Sequence, residues 1–360
     1  MLEVNNMMNL KFENKRMSNI ELLRIMSIIG VIILHFNYNG ALALVIKNSN
    51  MGGYRLLVFL ESIGICAVDV FMIISGYFIS DVRKIKGDKP VKLVLQVILI
   101  QCAFEIVRTI IKHESFSLIS LIPNNYFVVF YVTVFLISPY LNCMLDKVEY
   151  ISKFIFNMIL VFSIYPLVAD LLALLVNSCR GNLQDISNIT RMGSLNGYTI
   201  VNFILMYLIG ASIKRIEPDL KKYSTKKIAI MYGMCVLIIF ICTSLSGNDG
   251  KQIFNSVSLS YANPIVILEA ITIFLLFKRI NLGCNTIINR MSKACFTVYL
   301  THVIFLRYLI SEKVLKHNGV IILVYVLVVA VVLYIIGFFI SIVYSIFEDF
   351  LFNKVIKRRK

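Results

Sequence analysis

The 360-residue chain is 59% hydrophobic and 16% charged, and its apolar residues are gathered in long blocks, which excludes an ordinary water-soluble core. Its net charge of +16 would suit nucleic-acid binding only if the basic residues formed one soluble face, and they do not. The eight cysteines show no CxxC or Cys/His spacing, so we expect neither a disulfide framework nor a metal site.

Ten apolar stretches meet the length of about 20 residues that an α-helix needs to cross about 30 Å of hydrocarbon, and the sixth is the weakest. In chain order they are Ile20–Tyr38, Leu56–Ser80, Val91–Ile111, Phe127–Leu145, Phe154–Val176, Thr199–Ile213, Ile228–Leu245, Ala262–Phe277, Ala294–Ile310 and Gly319–Phe347. The last exceeds one untilted crossing, so we expect it to tilt, to kink at Gly337 or to follow the membrane interface. The sequence therefore predicts an all-α integral membrane protein with about ten transmembrane helices.

The connections between these stretches are short, and no internal repeat is visible, so one transmembrane domain is expected over residues 20–347. With the N-terminus inside, 25 Lys and Arg residues fall on the cytoplasmic side and eight fall outside. This asymmetry predicts a cytoplasmic segment at 1–19, a basic cytoplasmic tail at 348–360, and a multi-pass membrane protein.

Ionisable residues at membrane depth are costly and are usually kept for a partner or a task. Arg24 and His35 lie eleven positions apart in the first stretch, so both should project from one helical face, about 16 Å apart along its axis. The alternative is structural: Arg24 extends to the inner headgroups and His35 lies in the outer interface. Asp69 and His302 are mid-membrane, where a buried imidazole can also bridge helices by hydrogen bonds.

Three blocks of sequence carry a resemblance. They are Ile20-Glu21-Leu22-Leu23-Arg24 continuing to Leu34-His35-Phe36, Val68-Asp69-Val70-Phe71 with Ile74-Ser75-Gly76-Tyr77-Phe78, and Phe296-Thr297-Val298-Tyr299-Leu300-Thr301-His302. In this order, on a polytopic chain, they resemble the acyltransferase 3 family of membrane acyltransferases. Many members have Asp and Gly before the arginine, where this chain has Glu21, Leu22 and Leu23, and many have an aromatic residue at the position of Met72. Neither departure removes a residue to which we assign chemistry.

The resemblance implies transfer of an acyl group, most often acetyl from cytoplasmic acetyl-CoA, to a hydroxyl of a glycan at the outer face. The expected partners are acyl-CoA, a capsular or exopolysaccharide glycan or its lipid-linked precursor, and the bilayer, with no nucleic acid and no metal. A histidine titrating near neutral pH suits activation of a hydroxyl, so we assign His35 as general base or as a transient acyl carrier. Arg24 would hold an anionic part of CoA.

The other buried polar groups receive supporting roles. Asp69 would orient an imidazole or pair with Arg24, and His302 and Glu269 would complete a polar cavity or relay a proton. The predicted catalytic residues are His35, Arg24, Asp69 and His302, and the predicted donor-binding residues are Ser75, Gly76, Tyr77, Glu269 and Tyr299. Gly76 would also let another helix approach closely, and packing alone would explain Ser75 and Gly76.

Two other functions fit a polytopic chain with buried charges. The first is a transporter or flippase of glycan intermediates, although such proteins often show repeated halves and broken helices that this sequence lacks. The second is a glycan polymerase, for which a large external loop is expected, whereas the outer loops here are short. Within the acyltransferases, a succinyl donor is a close variant of the acetyl donor.

Overall fold

The computed structural model describes residues 16–85, 88–113, 115–116, 125–169, 171–172, 197–245 and 258–355, and within these residues it is helical and contains no strand. The predicted terminal segments and the end of the stretch Phe154–Val176 lie partly outside the described residues. The helices are α1 (Ser18–Phe36), α2 (Leu42–Lys47), α3 (Met51–Gly64), α4 (Ala67–Ile79), α5 (Asp88–Lys112), α6 (Tyr126–Asp146), α7 (Ile151–Ile159), α8 (Ile200–Arg215), α9 (Glu217–Leu220), α10 (Thr225–Leu245), α11 (Pro264–Arg279), α12 (Thr286–Ser292), α13 (Cys295–Leu306), α14 (Glu312–Leu315) and α15 (Gly319–Val355).

By length and composition, seven helical segments in the described residues could cross a membrane. They are Ser18–Lys47, Met51–Ile79, Lys89–Ile111, Tyr126–Asp146, Ile151–Ala169, Thr225–Leu245 and Gly319–Phe350. These correspond to seven of the ten predicted stretches and confirm a helical chain suited to multiple crossings. The orientation of the two termini stays a prediction from the distribution of Lys and Arg.

The other three predicted crossings are shorter helices. The structure has 16 residues in α8, 16 in α11 and 12 in α13. At about 1.5 Å per residue, these helices reach about 24, 24 and 18 Å, less than the hydrocarbon thickness of about 30 Å. The predicted count of ten full-length crossings is therefore not confirmed, because runs of apolar residues do not distinguish a spanning helix from a shorter helix packed inside the protein.

The chain divides into two compact units, each assembled from separate segments. The first comprises Met1–Leu57, Leu95–Ile122 and Ile280–Lys360, and in it α1 packs against α12, α13 and α15. Ser18 anchors the start of α1 by donating a hydrogen bond to Asn289 Oδ1 (3.0 Å) and accepting one from the backbone N–H of Asn285 (2.7 Å). Helix α15 is continuous through Gly337, where the absence of a side chain admits the backbone of Val298 in α13. The expected tilt, kink or interfacial course of this last stretch stays a prediction.

The helix that begins at Ser18 changes geometry immediately after His35. Residues Asn37–Ala41 form a π-helical turn in which Asn39 and Gly40 leave helical φ/ψ values, and the φ of 122° at Gly40 requires a glycine. The side chain of Asn39 donates to the His35 carbonyl (2.7 Å), and Asn37 donates to the Leu57 carbonyl (2.9 Å). The Asn39 amide satisfies a carbonyl beside the π-helical turn, and the Asn37 amide ties this end of α1, which carries His35, to α3.

The second unit comprises Val58–Val94 and Pro123–Arg279, and its centre is the crossing of α4 and α8. Gly76 in α4 and Gly210 in α8 make this crossing close: a Cβ on Gly76 would lie 2.0 Å from the Tyr207 carbonyl oxygen, and one on Gly210 would lie 2.1 Å from that of Ile73. The expectation that Gly76 admits a neighbouring helix is thereby confirmed. Helix α11 packs against both α4 and α10, and α6 packs against α8.

Candidate functional site

The predicted site residues fall into two groups, one in each unit. Arg24, His35, Tyr299 and His302 belong to the first unit, on α1 and α13. The second unit holds the remaining predicted residues on α4 and α11, which are Asp69, Ser75, Gly76, Tyr77 and Glu269.

The structure brings the two predicted histidines of the first unit together. Their ring centroids are 4.9 Å apart, with 35° between the ring planes. His35 lies one residue before the end of α1 and is half-buried, whereas His302 in α13 is 1% exposed. The partly accessible ring therefore belongs to His35, and a fully enclosed imidazole lies directly beside it.

Backbone carbonyls of its own helix orient His302. Its Nδ1 lies 2.7 Å from the carbonyl oxygen of Tyr299 and 3.2 Å from that of Val298. Because a carbonyl oxygen only accepts hydrogen bonds, the proton of the neutral ring resides on Nδ1. The opposite nitrogen, Nε2, is then an acceptor, and it is buried without a hydrogen-bond partner among the described residues.

Tyr299 contributes to this arrangement mainly through its backbone. Its ring centroid lies 5.9 Å from that of His302, and its carbonyl accepts the Nδ1 proton. One turn earlier, Gln96 on α5 donates to the hydroxyl of Thr297 (2.9 Å), which ties α13 to a second helix of the same unit. The polar face of α13 is thus held by hydrogen bonds at two consecutive turns.

Arg24, eleven residues before His35 on the same helix, forms an ion pair with Glu21. The guanidinium Nη1 lies 3.1 and 3.2 Å from the two carboxylate oxygens. The Glu21 side chain is buried, whereas the Arg24 side chain is 29% exposed. In the sequence Glu21 stood out only as a departure from the family pattern, although its spacing of three residues from Arg24 is a signal for this pair.

Asp69 in the second unit takes an amide as its partner. Its Oδ1 accepts a hydrogen bond from Asn202 Nδ2 (2.9 Å), and the same nitrogen lies 3.3 Å from the Tyr261 carbonyl. Asn202 was not predicted from the sequence, because no local pattern connects residues of α4 and α8. The hydrogen bond that the structure gives to the Asp69 carboxyl comes from Asn202. The hypothesis that Asp69 orients an imidazole or pairs with Arg24 stays untested.

Glu269 is buried in the interior of the second unit. The electrostatic neighbours of its carboxyl are Cys66, Asp69, Tyr232 and Cys235. Neither of its carboxyl oxygens meets hydrogen-bond geometry with a donor in the described part of the chain. A carboxyl with this burial and these neighbours is a candidate polar site in the membrane interior.

The Ser-Gly-Tyr block has intramolecular partners throughout. Ser75 donates to the Phe71 carbonyl (2.8 Å), Gly76 packs on α8, and Tyr77 donates to Glu217 Oε2 (2.6 Å). The Lys278 ammonium lies 3.1 Å from Glu217 Oε1 and 4.8 Å from the centroid of the Tyr77 ring. Burial alone would raise the pKa of Glu217, but the hydrogen bond from Tyr77 and the charge of Lys278 hold it below its ordinary value.

The chemistry available to the first unit is that of two adjacent imidazoles. One is partly accessible and the other is oriented with a free acceptor nitrogen, so the pair can accept, hold and return a proton, and either ring nitrogen lone pair can act as a nucleophile. In the described residues, no group of three or more His, Cys, Asp or Glu side chains is placed to hold a metal ion.

A family comparison covers nearly the whole chain. The sequence model of an acyltransferase domain, that of the acyltransferase 3 family, matches residues 17–347. This range contains the three motif blocks, both histidines and all the predicted site residues. No curated protein and no solved structure matches the chain.

Proposed function

Because the chain belongs to the acyltransferase 3 family, we propose that it transfers an acyl group, with acetyl as the preferred case, from cytoplasmic acyl-CoA to a hydroxyl of a cell-surface glycan. The family membership shows an acyltransferase, and the apolar helices fit a multi-pass membrane protein. The proposal adds the donor, the acceptor and the bacterial cytoplasmic membrane as the location. A succinyl donor is the nearest variant.

The observation that carries this proposal is the contact between His35 and His302. Transfer of an acyl group from a thioester needs a group that activates the accepting hydroxyl or that carries the acyl group, and an imidazole does either near neutral pH. His35 is the more accessible ring of the pair, so we assign to it the contact with substrate. Both chemistries require the His35 ring.

Arg24 supports the same proposal from the other end of α1. On the orientation predicted by the Lys and Arg distribution, this end of the helix faces the cytoplasm, where acyl-CoA is found. Glu21 holds the guanidinium in place, and the Arg24 side chain is exposed enough to meet an anionic group of the donor. His35 then lies about 16 Å further along the helix, toward the side of the glycan.

The test is the replacement His35→Ala in cells that display the glycan. We expect acyl groups to disappear from the glycan, measured by NMR of the purified polysaccharide, while the protein inserts and accumulates normally. His317→Ala is the matched control, because His317 is an exposed histidine of the same unit. Unchanged acylation in His35→Ala cells with normal protein levels would contradict the role of His35.

A transporter or flippase is the second candidate, and the buried carboxyls favour it. Asp69 and Glu269 are enclosed in the second unit, and ionisable groups at membrane depth often line a substrate or ion path. Purified protein in vesicles would then move glycan intermediates across the bilayer without acyl-CoA. Consumption of the thioester that depends on the glycan would count against this function.

A further inference from the structure

Two imidazoles lie together where a single base would be enough to activate a hydroxyl. They differ in how they are held. His302 is buried, with Nδ1 fixed by the carbonyls of Tyr299 and Val298, whereas His35 is half-buried and contacts His302 ring to ring. The difference indicates different tasks for the two rings.

Among the described residues, Nε2 of His302 is buried without a hydrogen-bond donor. The carbonyl contacts place the ring proton on Nδ1, so Nε2 carries a lone pair, and leaving a buried acceptor without a donor costs free energy. The imidazole of His35, 4.9 Å away between centroids, is the ring beside it, and its neutral form has one N–H, the kind of donor from which Nε2 can accept. Catalytic hydrogen bonds are often long until substrate binds.

This arrangement is that of an activated nucleophile. Such sites contain a nucleophile, an adjacent base that takes its proton, and a third group that orients the base. Here His35 is the nucleophile and His302 is the base. The carbonyls of Tyr299 and Val298 orient that base. A merely structural histidine that bridges helices would use both nitrogens for hydrogen bonds, whereas His302 bonds only within its own helix among the described residues.

We propose that His302 is the general base for His35, and that His35 carries the acyl group covalently between donor and acceptor. The inference rests on the proposed function, since it specifies how the acyl group crosses from one substrate to the other. A covalent carrier also fits a donor and an acceptor on opposite faces of the membrane, because the two substrates then need not occupy the site together.

The transfer takes two covalent steps, acylation of His35 and then transfer of the acyl group to the glycan. One nitrogen lone pair of neutral His35 attacks the thioester carbonyl carbon, the carbon–sulfur bond breaks, and its electron pair leaves with the CoA thiolate. The other ring N–H of His35 passes its proton to Nε2 of His302. The glycan hydroxyl oxygen then attacks the acyl carbon and the carbon–nitrogen bond breaks. His302 returns its proton to His35, the CoA thiolate takes a proton from the water on the donor side, and the hydroxyl proton passes to the water on the acceptor side, so the products are an ester and a thiol.

The experiment uses the purified full chain in detergent with acetyl-CoA and no glycan. We expect a rapid release of about one thiol per chain, because acylation of His35 needs no acceptor, and an acetyl adduct on the peptide that contains His35, found by mass spectrometry. The variant His302→Ala should release the thiol about 10² to 10⁴ times more slowly, the usual contribution of a positioned base. Free imidazole should restore part of that rate, since it can occupy the space of the lost ring.

Thr301→Val is the matched control. Thr301 is buried on the same helix and bonds only to carbonyls of that helix among the described residues, so this variant changes a neighbouring polar group and spares the imidazole. We expect its thiol release to match that of the wild type. An effect of helix packing alone would instead appear in both variants and would not respond to imidazole.

The outcomes separate the two proposals. Thiol release only when glycan is present, with no adduct on His35, would overturn the covalent carrier and leave the proposed acyl transfer standing. A burst that His302→Ala leaves unchanged would overturn the base role of His302. No thiol release from the wild type with or without the glycan would overturn the proposed function, and this inference with it.

Discussion

The late histidine block of the first unit and the Ser-Gly-Tyr block of the second unit differ in what their hydrogen bonds leave available. In the first block, His302 bonds to the Tyr299 carbonyl through one nitrogen, and its other nitrogen, beside His35, accepts no hydrogen bond from the part of the chain that the structure describes. In the second, Ser75 bonds to its own helix, and the Tyr77 hydroxyl donates to Glu217, which also pairs with Lys278. One block keeps an acceptor open, and the other uses its polar atoms internally.

The difference shows that residues of one family signature serve different physical purposes. His35 and His302 offer nitrogen atoms that a substrate or a proton can use, so their loss should remove chemistry and spare the fold. Gly76 is needed because no side chain fits between α4 and α8. Its loss should remove the fold itself. The donor-binding role predicted for Ser75, Gly76 and Tyr77 stays a prediction beside this packing role.

The largest effect on the second block is expected from Gly76→Leu. A Cβ at this position would lie 2.0 Å from the Tyr207 carbonyl oxygen, so the helices must separate, and we expect a loss of about 3 kcal/mol or more of stability. Thermal unfolding in detergent and the yield of membrane-inserted protein measure it. Gly233→Ala is the control, because nothing lies within 4 Å of a Cβ there. A Gly76→Leu protein with wild-type stability would contradict the packing role.

An intermediate effect is expected from Arg24→Ala. If Arg24 binds an anionic part of acyl-CoA, its loss removes a charge-assisted hydrogen bond worth about 1.5 to 3 kcal/mol, which corresponds to a KM for acyl-CoA about 10 to 100 times higher. The kcat should change much less, because the reacting atoms lie near His35. The control is Arg55→Ala, which removes an exposed arginine of the same unit. A fall in kcat at constant KM would contradict this role.

The smallest effect is expected from Glu217→Gln, and it depends on pH. The pKa of Glu217 is held below its ordinary value of 4.5, so the folded protein binds fewer protons here than the unfolded chain. The carboxylate therefore stabilises the fold above about pH 4.5, and this contribution is lost as the pH falls through the lowered pKa. Because Glu217 is about one third exposed, we expect less than about 1 kcal/mol.

The measurement is the melting temperature at neutral pH and near pH 4. Glu217→Gln should lower it slightly at neutral pH and should narrow the difference between the two conditions. Glu149→Gln, at an exposed carboxylate of the same unit, serves as the control and should leave this difference as it is in the wild type. A Glu217→Gln protein with the full acid sensitivity of the wild type would contradict the ion-pair account.

Much of the helical architecture could be predicted from the sequence, because each long apolar run leaves a helix as the way to satisfy its backbone in lipid. Seven predicted stretches coincide with helices long enough to cross. The helix that carries His302 is shorter than predicted, because it ends at Leu306 whereas the apolar residues Leu309 and Ile310 extend the predicted stretch. For this helix, length in sequence overstated length in structure.

The candidate site was predicted only in part. Motif resemblance pointed to His35 and His302, and the structure brings their rings into contact. The partners Asn202 and Glu217 could not be inferred, because each meets its motif residue across more than a hundred residues of chain. The tautomer of His302 depends on carbonyl positions, which no residue pattern specifies.

The most direct test of the account uses purified wild-type protein and His35→Ala in lipid vesicles, with acetyl-CoA on the Lys- and Arg-rich face and surface glycan on the other. Sustained thioester consumption is measured with and without the glycan. The account predicts consumption that depends on the glycan, accompanied by acetyl groups on the glycan, and predicts the loss of both in His35→Ala. Movement of glycan across the bilayer with no consumption of acetyl-CoA would contradict it.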